Sequence, residues 1–324
     1  MKAALAMAPA MLPFVFGDDE LRRLKQGLDL DVDRVLSSIE DLEDGERAVL
    51  ELLITGWGAP QIGPNELATL PALRAVVHWG GGIGFLDRSA TARGIAVSSA
   101  RATNAIPVAE FTVAMITLAA KDAFWVSRRY CMEQQPIDRE IELPHTGLYG
   151  TTIGLVGASS VGTLVVELLR DRDVEILIYD PYLTAAEAAR LGVERIGKLE
   201  DLARRSTVLS VHAPAMPQTD GMISRAVLAA MPDGATLVNT ARGSLVDQDA
   251  LIEQLAGGRL RAILDVTEPE VLPTGHPLYT LPNVFLTPHL AGSTGTELRR
   301  LGHAALAEVE RFVAGAPFAH PFPL

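Results

Sequence analysis

The feature of this sequence that most constrains its fold is an alternation of two patterns from Thr152 onward. Short apolar runs typical of buried strands are separated by segments with the apolar spacing of a helix. The predicted strands are residues 152–156, 174–179, 208–212, 236–239, 262–265 and 284–286, and the predicted helices are 161–170, 199–205, 224–231 and 248–255. This alternation predicts an α/β fold with a mostly parallel sheet and helices on both faces.

The first hundred residues show the same alternation less clearly. We predict strands at residues 3–7, 50–55, 75–79 and 95–98, a helix at 85–93, a helix at 108–129 that begins after Pro107, and a last helix at 294–313. A chain of 324 residues is long enough to form two cores. We therefore predict two Rossmann-like domains, residues 1–103 with 293–324 and residues 104–292, each with a doubly wound parallel sheet and with a cleft between them.

Composition excludes several classes of protein. Hydrophobic residues make up 48% of the chain and charged residues 21%, which is typical of a folded globular protein. A net charge of -12 repels phosphate backbones and anionic lipid, so we expect no nucleic-acid partner and no membrane partner. Since no residue cluster has the spacing of zinc ligands, we expect no metal site.

The cysteine count and the first residues bear on the compartment. The single cysteine, Cys131, cannot form an internal disulfide, which favours a reducing, cytoplasmic environment. The apolar run at 3–7 superficially resembles a signal peptide, but only Lys2 precedes it, and Pro9 and Pro13 break it. We interpret it as a first buried strand, and we predict no membrane-spanning segment anywhere in the chain.

A glycine-containing loop follows the strand predicted at 152–156. It reads Gly157-Ala158-Ser159-Ser160-Val161-Gly162, a dinucleotide-binding fingerprint in which Ser159 replaces the central glycine. The helix that starts here offers backbone N–H groups to a pyrophosphate, although the Ser159 side chain should crowd it. Asp180 ends the next strand, where a carboxylate accepts hydrogen bonds from ribose hydroxyls and repels a 2′-phosphate. This pattern favours NAD over NADP as the cofactor.

Three functional side chains follow three later strands. Arg242, Glu270 and His289 each lie a few residues beyond a predicted strand. In an open α/β sheet, side chains just beyond the strand ends line the ligand crevice. We therefore expect the three to converge on one small anionic substrate.

Together these motifs resemble the D-isomer-specific 2-hydroxyacid dehydrogenase family. Arg242 precedes Gly243-Ser244-Leu245-Val246-Asp247, Glu270 lies five residues after Asp265, and His289 lies in a Pro-His-x-x-Gly turn. Two more segments, Gly80-Gly81-Gly82 and Asn104-Ala105-Ile106-Pro107-Val108-Ala109-Glu110, match the family's carboxylate-binding loop and its hinge. Two positions depart from the pattern: Ser159, and Thr267, where an aromatic residue is common.

The resemblance implies a role for each domain and for individual residues. Residues 104–292 are expected to bind NAD, and the other domain is expected to bind a small 2-oxo or 2-hydroxy acid. The backbone N–H groups of Gly81 and Gly82, together with Arg242, would hold the substrate. Besides the glycine loop and Asp180, the resemblance implies cofactor contacts for Thr112 and Asp265. His212 and Thr240 are further expected cofactor-binding residues, and His212 ends a predicted strand beside the cofactor crevice.

The resemblance also implies a mechanism. NADH would deliver hydride to the carbonyl carbon of a 2-oxo acid, and His289 would donate the proton to the oxygen. An imidazole suits this role because its ordinary pKa is about 6.5. Glu270 would orient the ring and favour its charged form, while Arg242 would bind the carboxylate and polarise the carbonyl.

Several alternatives stay open. An NADH-sensing, corepressor-like binding protein would keep the same residues. A formate or phosphite dehydrogenase of the same fold is the nearest rival chemistry, and Glu270 disfavours the formate option because in formate dehydrogenases a glutamine pairs with the histidine. The length predicts no regulatory domain of the kind found in serine-regulated phosphoglycerate dehydrogenases. A homodimer is expected from the resemblance. Substrate identity is not predicted, and Trp57 and Trp79 are either an apolar wall of the substrate site or packing residues.

Overall fold

Two parallel sheets divide the chain into two compact units. The computed structural model describes residues 1–322. One unit is Met1–Ala105 together with the segment that begins at Ser293, and the other is Ile106–Gly292. Pro323 and Leu324, which the sequence prediction places in the first domain, lie outside the described residues.

The first unit contains five strands and the second contains seven. The strands of the first unit are β1 (Lys2–Ala6), β2 (Asp29–Leu36), β3 (Leu52–Thr55), β4 (Ala75–His78) and β5 (Ala96–Ser99). Those of the second are β6 (Thr152–Val156), β7 (Glu175–Tyr179), β8 (Glu194–Arg195), β9 (Val208–Val211), β10 (Thr236–Asn239), β11 (Arg261–Leu264) and β12 (Val284–Leu286). Every strand pair in both sheets is parallel, as the α/β pattern predicts.

Fourteen α-helices lie among the described residues. They are α1 (Leu12–Val15), α2 (Asp18–Gly27), α3 (Asp44–Val49), α4 (Pro64–Ala68), α5 (Ser89–Ala92), α6 (Arg101–Ala120), α7 (Ala123–Glu133), α8 (Arg139–Glu142), α9 (Ser160–Leu169), α10 (Ala185–Leu191), α11 (Leu199–Arg205), α12 (Arg225–Ala230), α13 (Gln248–Ala256) and α14 (Leu298–Val313). Short 3₁₀ turns occupy Pro9–Met11, Ile39–Asp41, Gly243–Leu245, Pro277–Tyr279 and Gly295–Glu297.

The first unit has a core on each face of its sheet. Its strand order is β2-β1-β3-β4-β5, and side chains alternate between the two faces. Leu52 and Ile54 pack in one cluster with Leu301 of α14, whereas Leu53 between them packs in the other cluster with Leu67 of α4. The sheet is therefore covered on both sides, as in doubly wound folds.

The second unit brings the functional loops to one edge of its sheet. The strand order is β12-β11-β10-β9-β6-β7-β8, so the direction of strand addition reverses at β6. The last residues of neighbouring strands pair with one another, Asn239 with Leu264 and Leu264 with Leu286. The loops after β6, β9, β10, β11 and β12 consequently leave the sheet at the same edge, where ligands bind in open α/β folds.

Two predicted helices differ from the observed ones. The helix predicted at 108–129 begins earlier, at Arg101, so Pro107 lies inside α6 rather than at its start. The Ser99 hydroxyl accepts a hydrogen bond from the Arg101 N–H, one of the first N–H groups, which have no partner within the helix. Helix α6 also ends at Ala120, and a new helix follows Asp122, which has a left-handed backbone.

The helix predicted at 85–93 is reduced to the four residues of α5. The residues before it pair with Ile62 instead, because the Ile62 N–H donates to the Phe85 carbonyl and the Asp87 N–H donates to the Ile62 carbonyl. These two hydrogen bonds hold the backbone extended at the positions where the predicted helix would start.

One helix bears on the prediction that no segment could span a membrane. Within residues 1–322, α6 alone is long and apolar enough to do so by length and composition. It contains Pro107, and 44% of its most apolar window is buried inside the protein. Since a buried core helix passes the same test, this single helix is weak evidence for a membrane span.

Candidate functional site

The turn between β6 and α9 requires glycine at two positions. Gly157 has a left-handed backbone with φ of +105°, and a Cβ there would lie 2.8 Å from the Ala213 backbone nitrogen. A Cβ on Gly162 would lie 2.2 Å from the Gly157 carbonyl oxygen. Because both glycines lack a side chain, the start of α9 can lie close against the sheet. The turn follows β6, the strand at which the order of the sheet reverses.

The same turn fits the pyrophosphate of a dinucleotide. The first N–H groups of a helix have no partner within the helix and carry its positive dipole end. At the start of α9 these groups belong to Ser160 and Val161, beside Ser159. The Ser159 hydroxyl accepts a hydrogen bond from the Gly162 N–H at 3.3 Å, so it serves as the N-cap of the helix.

Asp180 braces the glycine turn. Its carboxylate accepts hydrogen bonds from the backbone N–H groups of Ala158, at 2.7 Å, and Tyr182, at 2.8 Å. A carboxylate has about four acceptor positions, so further ones are available to ribose hydroxyls. The structure thus adds a structural contact to the cofactor-binding role predicted for Asp180.

His212 lies behind the turn with its imidazole buried. Its Nε2 pairs with the Ser210 hydroxyl at 2.9 Å, and burial lowers the pKa of His212 to about 4. The side chain is therefore neutral at physiological pH and packs close to Gly162. The cofactor contact predicted for His212 stays a prediction.

Thr112 and Thr240 form a buried pair in the second unit. Their hydroxyl groups are 2.7 Å apart, one on α6 and the other just beyond β10. Each hydroxyl thus has a protein partner. The cofactor contacts predicted for these two residues also stay predictions.

Asp265 holds the turn that carries His289. Its buried carboxylate accepts hydrogen bonds from the Thr287 hydroxyl at 2.6 Å and from the N–H groups of Leu290 and Ala291 at 2.7 and 2.9 Å. Its carbonyl accepts from the His289 N–H at 2.9 Å. His289 has a left-handed backbone with φ of 56°, so this network keeps an uncommon conformation in place.

Glu270 and His289 form a direct pair. The Nδ1 of His289 lies 2.6 Å from the Oε1 of Glu270. The side chains are 45% and 55% exposed, so the pair is open to solvent on one side. With Nδ1 engaged, the other ring nitrogen, Nε2, is the one left to exchange a proton with a ligand.

Gly243 brings the Arg242 loop against the loop of Glu270. A Cβ on Gly243 would lie 2.1 Å from the backbone carbon of Thr267 and 2.6 Å from the Glu268 nitrogen. Only glycine permits this approach. The Arg242 side chain is exposed and donates from Nη1 to its neighbour's carbonyl, that of Ala241, at 2.6 Å.

The predicted carboxylate-binding loop, Gly80 to Gly82, belongs to the first unit. The Ser99 hydroxyl donates to the carbonyls of Gly80 and Gly81, at 3.1 and 2.9 Å. His78 is buried beside it, and a Cβ on Gly80 would lie 2.5 Å from its Nε2. Burial lowers the pKa of His78 to about 4, against a smaller opposing contribution from the Gly82 backbone.

Trp57 and Trp79 differ in exposure. Trp79 is fully buried and its indole N–H donates to the sulfur of Met7, so it is a packing residue. Trp57 is 37% exposed and meets Trp79 edge to face, with ring centroids 5.1 Å apart. Of the two, Trp57 is the one available to a ligand.

Sequence reasoning missed the residues that hold the loop of Glu270. The Thr267 hydroxyl donates to the carbonyls of Pro269 and Glu270, and the Gln248 side chain pairs with the Glu268 backbone. In the sequence, Thr267 stands out only because the family commonly has an aromatic residue at this position. That departure was the available signal, because a hydroxyl in a tight turn commonly bonds the backbone.

A family model matches residues 113–291. Its description is D-isomer specific 2-hydroxyacid dehydrogenase, NAD binding domain. The matched segment includes the glycine turn, Arg242, Glu270 and His289.

Curated relatives and solved structures resemble a larger part of the chain. D-3-phosphoglycerate dehydrogenase from Mycobacterium tuberculosis is 34% identical over 259 residues, covering 79% of this chain and 48% of the relative. The enzyme of that name from Methanocaldococcus jannaschii is 30% identical over 300 residues, 92% and 56% respectively. The chain thus spans about half the length of these relatives. The apo structure of D-mandelate dehydrogenase from Rhodotorula graminis is 26% identical with a TM-score of 0.81, covering 99% and 97% of the two chains.

Proposed function

The chain belongs to the D-isomer-specific 2-hydroxyacid dehydrogenase family and carries its NAD-binding domain, and from this premise we propose that the protein interconverts a 2-oxo acid and a D-2-hydroxy acid. The observation that carries the proposal is the 2.6 Å contact between His289 Nδ1 and Glu270 Oε1. It supplies a proton-exchanging group, oriented by a carboxylate, at the sheet edge where the glycine turn also lies.

Each of the three residues has a distinct role in the proposed reaction. Glu270 accepts the Nδ1–H hydrogen bond of His289 and fixes the orientation of the ring. His289 donates a proton from Nε2 to the substrate oxygen during reduction and accepts it during oxidation. Arg242 binds the substrate carboxylate with its planar set of donors and polarises the carbonyl.

The cofactor supplies the remaining chemistry: NADH, when bound, provides the hydride that the carbonyl carbon receives. The protein holds the pyrophosphate at the start of α9 and the adenosine ribose at Asp180. A carboxylate at this position disfavours a 2′-phosphate, so we propose a preference for NADH over NADPH.

Substitution of the two central residues tests the function. His289→Ala and Arg242→Ala should lower turnover of the best 2-oxo acid by at least about 100-fold, since each removes a group that acts on the reacting atoms. NADH binding, measured by fluorescence titration, should change little. His145→Ala removes an exposed histidine outside this site and should retain wild-type turnover. Near-normal turnover in either site variant would refute the assignment.

Asp180→Ala tests cofactor choice. The variant should bind NADH more weakly and discriminate less against NADPH, because the acceptor for the ribose hydroxyls and the repulsive charge are both lost. The two dissociation constants, measured side by side, decide the matter. A wild-type protein that prefers NADPH would contradict the proposal.

Substrate scope is proposed only at the level of small 2-oxo acids. The names of the relatives refer to D-3-phosphoglycerate and D-mandelate, which differ in charge and in aromatic character. A suitable panel contains glyoxylate, hydroxypyruvate, pyruvate, phenylpyruvate and phenylglyoxylate, with D-3-phosphoglycerate assayed in the oxidative direction. If NADH binds but none of these turns over, an NADH-sensing binding protein becomes the better account.

We also propose that the protein is a homodimer formed through its second unit. Four large apolar side chains, Tyr130, Met132, Ile141 and Tyr149, are 58–88% exposed on the segment from α7 to the start of β6. Exposed apolar groups of this kind mark interaction surfaces when they occur together. Sedimentation of the wild type and of Ile141→Glu tests the idea, and a wild-type monomer would refute it.

A further inference from the structure

The segment of residues 265–270, called here the acid turn, carries Glu270 on an exposed stretch of chain. We propose that Thr267 and Gln248 are positioning residues that hold the acid turn so that Glu270 meets His289. The inference rests on the function proposed above, because it assumes that the Glu270–His289 pair acts in turnover. Both residues hydrogen-bond the backbone of the acid turn, and their effect is transmitted through that backbone.

Thr267 closes the acid turn from within. Its side chain is buried, and its hydroxyl lies 2.9 Å from the Pro269 carbonyl and 3.1 Å from the Glu270 carbonyl. The single hydroxyl hydrogen is thus shared between the last two residues of the turn. Loss of this hydroxyl would release the backbone of Glu270 itself.

Gln248 holds the same turn from outside. It is the first residue of α13, and its side-chain amide contacts the Glu268 backbone twice. The amide nitrogen donates to the Glu268 carbonyl at 2.9 Å, and the amide oxygen accepts from the Glu268 N–H at 3.2 Å. This two-point contact resembles one rung of a β-ladder and fixes both the position and the orientation of the peptide.

The exposure of Glu270 makes such support necessary. Its side chain is 55% exposed, so water competes for the carboxylate and surface ion pairs of this kind contribute little by themselves. A reacting group must nevertheless be held within about 0.5 Å of its productive position. The contacts of Thr267 and Gln248, together with the close approach of Gly243, supply that restraint from three directions.

Four variants test the proposal. Thr267→Val removes the hydroxyl at constant shape, Thr267→Ser retains it, and Gln248→Ala removes the amide at a helix position that tolerates alanine. Thr280→Val is the matched control, because Thr280 also donates its hydroxyl to a carbonyl in a turn, that of Pro277 at 3.2 Å. Thr267→Val and Gln248→Ala should each lower kcat about 10-fold, which is less than the roughly 100-fold loss that a 1 Å misplacement of a reacting group can cause. Thr267→Ser and Thr280→Val should stay near wild type.

Rescue by a conservative variant and a double-mutant cycle separate positioning from general damage. Thr267→Ser should retain the kcat that Thr267→Val loses, because it keeps the hydroxyl that closes the acid turn. Adding Thr267→Val to Glu270→Gln should cause no further loss of kcat, because both act through one carboxylate. NADH affinity should be unchanged throughout.

The outcomes distinguish the two levels of inference. If Glu270→Gln itself turns over like wild type, the proposed function of the pair fails. If Glu270→Gln is impaired while Thr267→Val and Gln248→Ala are not, the positioning role is refuted and the proposed function stands. Additive losses in the double variant, or a loss of kcat in Thr267→Ser as large as that in Thr267→Val, would also refute positioning. Gln248→Ala keeps the test decisive if Thr267→Val does not fold.

Discussion

At the scale of single residues, Asp265 does the most to shape the site. Its buried carboxylate accepts hydrogen bonds from one hydroxyl and two backbone N–H groups, all within residues 287–291. The residue follows directly from β11, so its position is set by the sheet, and the turn of His289 takes its position from Asp265. The sequence predicted Asp265 as a cofactor neighbour; its three hydrogen bonds could not be predicted, because they depend on how two distant loops meet.

Asp265→Asn should disrupt the His289 turn. In the variant, an NH₂ group replaces one carboxylate oxygen, so one of the two backbone N–H groups loses its acceptor. A buried N–H without a partner costs about 1–3 kcal/mol. We expect a lower free energy of unfolding and a loss of kcat, both measured on the purified variant. Asp233→Asn, at a side chain that is 87% exposed, is the control. An Asp265→Asn protein with wild-type stability and kcat would contradict this role.

At the scale of elements, predictability followed local pattern. β6, β10 and β12 have the predicted bounds. β6 and β10 lie inside the parallel sheet and are short runs of mostly buried residues, which the sequence shows directly. β12 is a partly buried edge strand, and its short apolar run still marks its bounds. β2 was missed although its polar and apolar residues alternate. The early start of α6 was not predicted, because a proline is typical of the first turn of a helix and Pro107 therefore suggested a start there, whereas α6 continues through it.

Three catalytic candidates were predicted at strand ends, and the structure pairs two of them, Glu270 and His289. This part was predictable because parallel strands align their carboxyl edges. The supports from Gln248 and Thr267 were not, since they join the start of α13 to the loop after β11. The sequence pattern is enough to predict which residues lie at the site, whereas tertiary contacts determine how their loops are positioned.

Helix α9 offers a prediction at this scale. Ser159 replaces the usual glycine and caps the helix through the Gly162 N–H. Ser159→Ala should therefore destabilise the protein by about 1 kcal/mol, whereas Ser159→Gly should cost only a few tenths. Thermal unfolding compares the two variants. If Ser159→Ala is as stable as wild type, the hydroxyl is not an effective cap.

NADH affinity of the same two variants addresses crowding. The sequence suggested that a side chain at 159 restricts the phosphates. If so, Ser159→Gly should bind NADH more tightly than Ser159→Ala. Equal affinities would show that the side chain at this position does not limit binding.

At the scale of the whole molecule, each unit contains one buried neutral histidine. Burial lowers the pKa of His78 in the first unit and of His212 in the second to about 4, from an ordinary value of 6.5. Above pH 6.5 both residues are neutral whether the chain is folded or unfolded. Between pH 6.5 and 4 the unfolded chain takes up a proton that the folded chain does not, so folding stability falls on acidification.

In this pH range, each histidine should make the free energy of unfolding fall by up to about 1.4 kcal/mol per pH unit of acidification. His212→Gln removes one titrating group, and the decline of unfolding free energy between pH 6.5 and 4.5 should become shallower by about that amount. Urea unfolding at several pH values measures it. The same pH slope in variant and wild type would mean that His212 is not the group responsible.

In the proposed reaction, His289 paired with Glu270 transfers the proton during NADH-dependent reduction of a 2-oxo acid to its D-2-hydroxy acid. The most direct test incubates wild type and His289→Ala with NADH and the best 2-oxo acid, and then resolves the product enantiomers by chiral chromatography. The account predicts one D-2-hydroxy acid formed per NADH oxidised by the wild type, and almost none by a variant that still binds NADH. Formation of the L enantiomer, or undiminished turnover by His289→Ala, would contradict it.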